Sequence, residues 1–342
     1  MTTSLTSYRP LFLDRVLDLL WCQWSSLGVA GHAEDWQGGL IDPEALVLAT
    51  CFFGRFDARL FDAMLEWTGI NGRYLNVGRV WRILSDQKLA GEATFRALAE
   101  TAMTSVTAAK WAKTRRAPGE ARSPEPFFFL RDGRPMPVVG ELDPGFVRHG
   151  FLRDRYEPRR VAHAFRPERP ANLLLRLRAM FGVNARCEII AYLLVNRTGS
   201  PREIARQTGY FPATIANALA EMRDSGFVIA RPEGRRRVHR LVPDTWQALL
   251  VGTSLPRWRG WASIFGALES IWNLLRSDGL DRESPLAQAS TLRRMLLGTV
   301  VERVETNVPE VVFGDLTAFP GEALLPHFLA RANEFLDALN RT

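Results

Sequence analysis

The sequence predicts a mostly α-helical, multi-domain protein that carries a few small β-hairpins. Its 342 residues exceed the ~100 to 200 residues of one ordinary domain. Apolar residues recur at steps of three and four through the first and last thirds of the chain, which is the period of a helix. The content of 46% hydrophobic and 24% charged residues is typical of folded chains. We therefore expect order over most of the length.

Helical periodicity dominates residues 1–116, which we assign to an N-terminal helical domain. Asp42 followed by Pro43 is a typical pair of N-cap and first-turn residues, so a helix is expected to begin there. The predicted helices of this domain cover residues 10–27, 42–53, 57–68, 74–85 and 91–113.

Residues 117–170 are rich in proline and arginine, and we predict a structured connector. Asp132-Gly133 separates two extended apolar runs at 127–130 and 136–139, which is the pattern of a small β-hairpin. The arginine excess fits either a solvated basic face or a surface that contacts phosphates, and the sequence leaves both open.

The central segment, residues 171–250, begins with helix signals of high specificity. Ser200, Pro201 and Glu203 form a capping box, in which the serine and glutamate side chains satisfy each other's backbone N–H groups. Gly209 is suited to end the short helix that starts there, and Pro212 to start another. The predicted helices of this segment cover residues 184–195, 201–207 and 212–225.

A basic β-hairpin is predicted directly after these helices. Residues 227–231 and 236–242 are extended runs, and Pro232-Glu233-Gly234 supplies the turn between them. Two short helices joined by a turn, followed by a hairpin, is the order of elements in a winged helix-turn-helix.

Residues 184–245 resemble the winged helix-turn-helix DNA-binding domains of bacterial repressors of the arsenic-repressor and multiple-antibiotic-resistance-repressor type. The resemblance rests on the segments SPREIARQTGYFPATIANALAEMRDSGFV and RPEGRRRVHRLV, under a fifth of the chain. It implies a recognition helix at 212–225, a wing on the minor groove or phosphates, and dimerisation through flanking helices. The chain departs from the family pattern at Phe211, where a polar N-cap is usual. The expected outer face of the recognition helix is poor in Arg and Lys: Ala213, Thr214, Asn217, Ala218 and Glu221.

We predict that double-stranded DNA is contacted by the recognition helix, by the helix before it and by the wing. Asn217 is able to bond adenine through two contacts, and the arginines of the wing suit phosphates and a narrow minor groove. A solvated hairpin tip is the alternative for the wing. The predicted contacts are Ser200, Arg202, Pro212, Ala213, Thr214, Asn217, Arg223, Arg231, Arg235, Arg236, Arg237, His239 and Arg240.

These features favour a sequence-specific transcriptional regulator, expected to act as a repressor and a homodimer, over an enzyme. The net charge of +7 is compatible with binding to nucleic acid. It is weak evidence for such binding, because only 3 of the 44 basic residues are lysine. A compositional bias toward arginine would explain this abundance of arginine without any function. The catalytic and nucleotide-binding motifs that we sought do not occur. The spacing of the histidines and of Cys22, Cys51 and Cys187 suggests no metal site, and we expect no cofactor.

Residues 251–342 are expected to form a C-terminal helical region that dimerises or binds a partner protein. The alternative function is a protein-interaction or antitoxin-like regulator, whose tryptophan-rich flanks hold that partner. Without a signal peptide or a long apolar run, the chain is expected in the cytoplasm and off the membrane. The predicted helices cover residues 258–275, 286–304 and 326–339, and the tryptophans are Trp21, Trp24, Trp67, Trp258, Trp261 and Trp272.

Overall fold

The computed structural model describes residues 5–31, 36, 38–102, 108–115, 123–234, 236–242, 246, 255–277 and 279–340. Arg235 of the predicted wing lies outside these residues. Within them the chain is mostly helical, with two sheets of two strands each. The predicted mostly helical fold is confirmed, and the central segment has the predicted order of two short helices followed by a hairpin.

Three of the N-terminal helices, α2, α3 and α4, begin where a polar side chain caps them. The carboxylate of Asp42 accepts a hydrogen bond from Ala45 N at 3.1 Å, and Asp57 and Asn76 cap the next two long helices in the same way. The helices are α1 (Leu5–Ser26), α2 (Pro43–Phe53), α3 (Ala58–Asn71), α4 (Val77–Gln87), α5 (Glu92–Thr101) and α6 (Ala108–Arg115).

The single helix predicted over 91–113 is wrong, because α5 ends at Thr101 and α6 begins at Ala108. A short connector helix, α7 (Pro144–Val147), packs on the last turn of α5. Gly145 lies so close that an added Cβ would be 2.7 Å from the Thr101 hydroxyl. The end of α5 is therefore covered by residues far away in sequence.

The connector hairpin predicted over 127–139 is reduced to a tight turn with one antiparallel bridge, between Phe129 and Pro135. Phe127 N donates to Leu152 O at 2.9 Å, and Phe129 N donates to Arg55 O at 2.8 Å. Beside the bridge, Leu130 N donates to Arg134 O at 2.8 Å and Met136 N donates to Phe128 O at 2.9 Å, and the pairing of the two runs extends no further. The sheet here is parallel and joins β1 (Glu125–Pro126) to β2 (Phe151–Leu152).

In the described part of the central segment, four α-helices and an antiparallel hairpin surround a hydrophobic core of their own. The elements are α8 (Leu173–Phe181), α9 (Ala185–Asn196), α10 (Pro201–Thr208), α11 (Pro212–Asp224), β3 (Val228–Glu233) and β4 (Arg236–Leu241).

The C-terminal helices share one hydrophobic core with the N-terminal helices, and α1 packs against both α12 and α15. The three predicted helices are confirmed, although a π-helical turn at Leu296–Val300 interrupts the middle one. The predicted domain boundaries stay predictions. The elements are α12 (Trp261–Leu275), α13 (Pro285–Met295), α14 (Val301–Glu305) and α15 (Leu324–Asn340).

Most of the flanking tryptophans belong to this shared core. Trp24, Trp67, Trp261 and Trp272 are buried in it, so they do not offer a surface to a partner. Trp21 is half-buried and donates through Nε1 to Asp57 Oδ2 at 3.0 Å. Cys22, Cys51 and Cys187 are buried, and none of the three is in a disulfide. Among the described helices, none combines the length and the apolar character needed to cross a bilayer.

Candidate nucleic-acid interface

The turn between α10 and α11 follows the signals in the sequence. Ser200 Oγ accepts from Glu203 N at 3.3 Å, and Glu203 Oε2 accepts from Ser200 N at 3.5 Å, so the predicted capping box is confirmed. Gly209 has a φ of +70° and ends α10 in the left-handed region that favours glycine. Ser200 is thus held as a helix cap, while the neighbouring Arg202 is exposed.

Helix α11 has one buried and one exposed face. Ile215, Leu219 and Met222 are buried against the rest of the winged helix at helical spacing. Ala218 was predicted on the outer face, but it is only 8% exposed because it lies on the same stripe. The exposed residues between positions 212 and 221 are Pro212, Ala213, Thr214, Ala216, Asn217 and Glu221.

Two ion pairs border the exposed face of α11. Glu221 is the acidic residue nearest to the centre of this face. It pairs with Arg186 on α9, and this pair neutralises its charge. Arg223, a predicted contact, is exposed and pairs with Asp224 at 3.1 Å. Arg186 was not among the predicted contacts, because no local pattern connects it with α11.

Phe211, at the start of α11, is braced by the N-terminal segment. Its ring is 64% exposed, and the Arg82 guanidinium lies 3.5 Å from the ring centroid. Next to it, Asn76 Nδ2 donates to the Tyr210 hydroxyl at 2.7 Å. Helix α4 therefore holds the turn that precedes α11, which no local sequence pattern indicates.

The wing is an antiparallel ladder whose register determines where each side chain lies. Arg231 pairs with Val238 and Glu233 with Arg236, so these four side chains share one face of the hairpin. Arg231, Arg236 and Arg237 are exposed, and Arg240 is half-buried. Within the part of the wing that the structure describes, Arg231, Arg236, Arg237 and Arg240 form no ion pair with a carboxylate.

His239 is a correction to the predicted contacts. Its side chain is only 5% exposed, and its backbone N–H and C=O bond to Gly199 at 2.9 and 3.0 Å. Burial lowers the pKa of His239, because it disfavours the charged form of the ring. Period-two alternation with Leu241, which is also buried, was the signal in the sequence that places His239 on the inner face.

Behind the turn lies a buried ionic network. Glu44 accepts from Arg178 Nη1 at 2.6 Å and from Arg79 Nη1 at 2.7 Å, and Arg178 also pairs with Glu188. Burial alone would raise the pKa of Asp42, but the charge and hydrogen bonds of Arg79 outweigh it, so the pKa is lowered.

This network connects the winged helix to the N-terminal helices. Glu44 belongs to α2 and Arg79 to α4, whereas Arg178 and Glu188 belong to α8 and α9. Arg79 Nε also donates to the carbonyl of Thr208, at the end of α10, at 2.5 Å. The orientation of α10 and α11 is therefore fixed relative to the N-terminal segment.

The described residues contain no group of His, Cys, Asp and Glu side chains arranged to hold a metal ion. The candidate site is the surface formed by the outer face of α11 and the exposed arginines of the wing. No known protein family, characterised protein or solved structure matches this chain.

Proposed function

We propose that this protein binds double-stranded DNA through α11 and the wing and regulates transcription as a repressor in the cytoplasm. The observation that carries the proposal is the pairing of an unobstructed outer face of α11 with a hairpin that presents Arg231, Arg236 and Arg237 to solvent. A helix of this kind fits the major groove, while the wing lies along the backbone or the minor groove.

The charge of the wing supports this role. Because its exposed arginines lack carboxylate partners among the described residues, their charge is available to DNA phosphates. Arginine side chains that neutralise phosphates release condensed counterions, and this release supplies much of the binding free energy. Glu233 lies directly opposite Arg236, so the predicted basic cluster contains one acidic residue.

The buried network supports the proposal in a second way. A recognition helix that is held firmly needs little ordering when it binds, and less conformational entropy is lost. Arg79 and Asn76 hold the residues on either side of Gly209, so α11 is preorganised by contacts that lie away from the DNA-facing surface.

The experiment is a titration of a fluorescently labelled, operator-length duplex with the full chain, followed by anisotropy. The test variant is Arg236→Gln/Arg237→Gln, and the matched control is Arg282→Gln/Arg294→Gln, which removes two exposed arginines far from the wing in sequence. We expect wild type and control to bind alike and the wing variant to lose about tenfold or more in affinity. Equal binding by all three proteins would remove the wing from the function.

The proposal includes the homodimer that the resemblance implies, which sedimentation equilibrium of the full chain tests directly. The antitoxin-like alternative has less support, because most of the tryptophans that suggested it are core residues. Recovery of a stoichiometric protein partner together with the tagged chain, without DNA, would favour that alternative again.

A further inference from the structure

We propose that the duplex this protein prefers is rich in A·T base pairs, and that Asn217 is the residue that determines this preference. The inference rests on the proposed function and specifies the DNA that it acts on. Two surfaces of the winged helix, the outer face of α11 and the wing, favour the same base pairs through different grooves.

Asn217 occupies the centre of the outer face of α11. It lies three residues after Thr214 and four after Ala213, so the three side chains lie side by side on the helix surface. Asn217 is exposed, and no hydrogen bond engages its amide within the described residues. The amide nitrogen of Asn217 can donate to N7 of adenine in the major groove, while the amide oxygen accepts from the N6 amino group.

The same face lacks the residues that read guanine. Bidentate bonding to guanine O6 and N7 requires Arg or Lys, and the exposed positions from Pro212 to Glu221 contain neither. The arginines at the two ends of α11 already contact other side chains. Arg82 stacks on Phe211 and bonds to Asp86. Arg223 pairs with Asp224. Recognition through this face therefore favours adenine.

Thymine, the partner of adenine, is favoured by neighbouring groups. The methyl groups of Thr214 and Ala213 are exposed beside Asn217, and apolar contacts of this kind suit the C5-methyl group of thymine. One A·T pair can thus contact the amide of Asn217 through its adenine and a neighbouring methyl group of α11 through its thymine.

The wing favours A·T pairs independently. A·T-rich tracts have a narrow minor groove with an enhanced negative potential, and arginine side chains insert there preferentially. Arg231 and Arg236 share one face of the hairpin and are both exposed. A duplex rich in A·T pairs therefore suits Asn217 in the major groove and also has the narrow minor groove that arginines of the wing prefer.

The test compares duplexes of equal length at one salt concentration, rich in A·T, in G·C or in I·C pairs. An I·C pair presents a minor groove like that of A·T but a major-groove purine edge like that of guanine. We expect wild type to bind A·T duplex at least about tenfold more tightly than G·C, with I·C between them. In Asn217→Ala, the difference between A·T and I·C duplexes should shrink to the smaller part that the contacts of Thr214 and Ala213 with the thymine methyl group supply, while G·C stays weakest.

Modified bases isolate the contact. Replacing adenine by 7-deazaadenine removes the N7 acceptor, and we expect it to weaken binding of wild type but not of Asn217→Ala. Asn217→Gln, which keeps the amide, should restore part of the preference. Because Asn217 is exposed, all variants should keep the wild-type thermal midpoint, which serves as the folding control.

The outcomes separate this inference from the proposed function. Equal, tight binding of all three duplexes by wild type would overturn the A·T preference and leave duplex binding intact. Equal binding of A·T and I·C duplexes by wild type would overturn the role of Asn217. Failure to bind any duplex would contradict the proposed function itself.

Discussion

Glu44 on α2 and Arg178 on α8 are joined by two hydrogen bonds, of 2.6 Å from Nη1 to Oε1 and 3.0 Å from Nη2 to Oε2, with both side chains fully buried. The two residues are 134 positions apart in sequence. Their contact connects the helices that lead into the winged helix with the N-terminal segment. The proposed DNA-binding surface is thus supported by an ion pair that does not touch DNA.

Breaking this pair should destabilise the protein strongly. We expect Glu44→Gln to lower the free energy of unfolding by about 3 to 5 kcal/mol, because it leaves two buried guanidinium groups without their shared carboxylate. Urea denaturation of the full chain measures this change. The control is Glu141→Gln, which removes an exposed ion pair with Arg155 at 3.5 Å and should cost less than about 1 kcal/mol. Equal costs for the two variants would contradict the stabilising role of the network.

The capping box should contribute to stability before DNA is involved. We expect Ser200→Ala to lower the free energy of unfolding by about 1 kcal/mol, because Glu203 N loses its acceptor. Ser200→Thr keeps the hydroxyl group and should be close to wild type. The change is measured by thermal unfolding without DNA, and an unchanged midpoint for Ser200→Ala would show that the cap does not support α10.

Glu269 on α12 should make stability depend on pH. Burial raises its pKa to about 7, although Ala90 N donates to its carboxylate at 2.8 Å. The folded state therefore holds a proton that the unfolded state releases between about pH 4.5 and 7, so this group's contribution to stability is lost as pH rises through that window.

The corresponding variant is Glu269→Gln, which keeps a carbonyl acceptor but does not ionise. Its stability relative to wild type should increase from pH 4.5 to 7 by up to about 3 kcal/mol and then stay constant. Urea denaturation across this pH range measures the difference. A difference between the two proteins that does not change with pH would contradict the raised pKa.

The features that the sequence predicts correctly are those that depend on neighbouring residues. Asp42, Ser200 and Gly209 mark helix ends through bonds to residues at most four positions away, so their roles were readable locally. The end of α5 and the first run of the connector contact residues that are distant in sequence, and no local pattern indicates such contacts. Phe127, for example, bonds to Leu152 and not to its neighbour across the turn.

In the candidate site, too, local patterns predict some features and contacts between distant residues determine others. Helical spacing predicts the outer face of α11 except for Ala218. Strand alternation with Leu241 places His239 on the inner face, although it was a predicted contact. By contrast, Glu44 bonds to Arg79 and Arg178, which are 35 and 134 positions away, and Arg82 packs on Phe211 from another distant helix. No periodicity in the sequence indicates such contacts.

The most direct test of the central claim, that α11 and the wing form one duplex-binding surface, is the salt dependence of DNA binding. The slope of log affinity against log salt concentration should be steep for wild type and smaller by about 1.8 for Arg236→Gln/Arg237→Gln, because each phosphate that an arginine no longer neutralises reduces the slope by ~0.9. The control Arg282→Gln/Arg294→Gln should keep the wild-type slope. Identical slopes for wild type and the wing variant would contradict the claim.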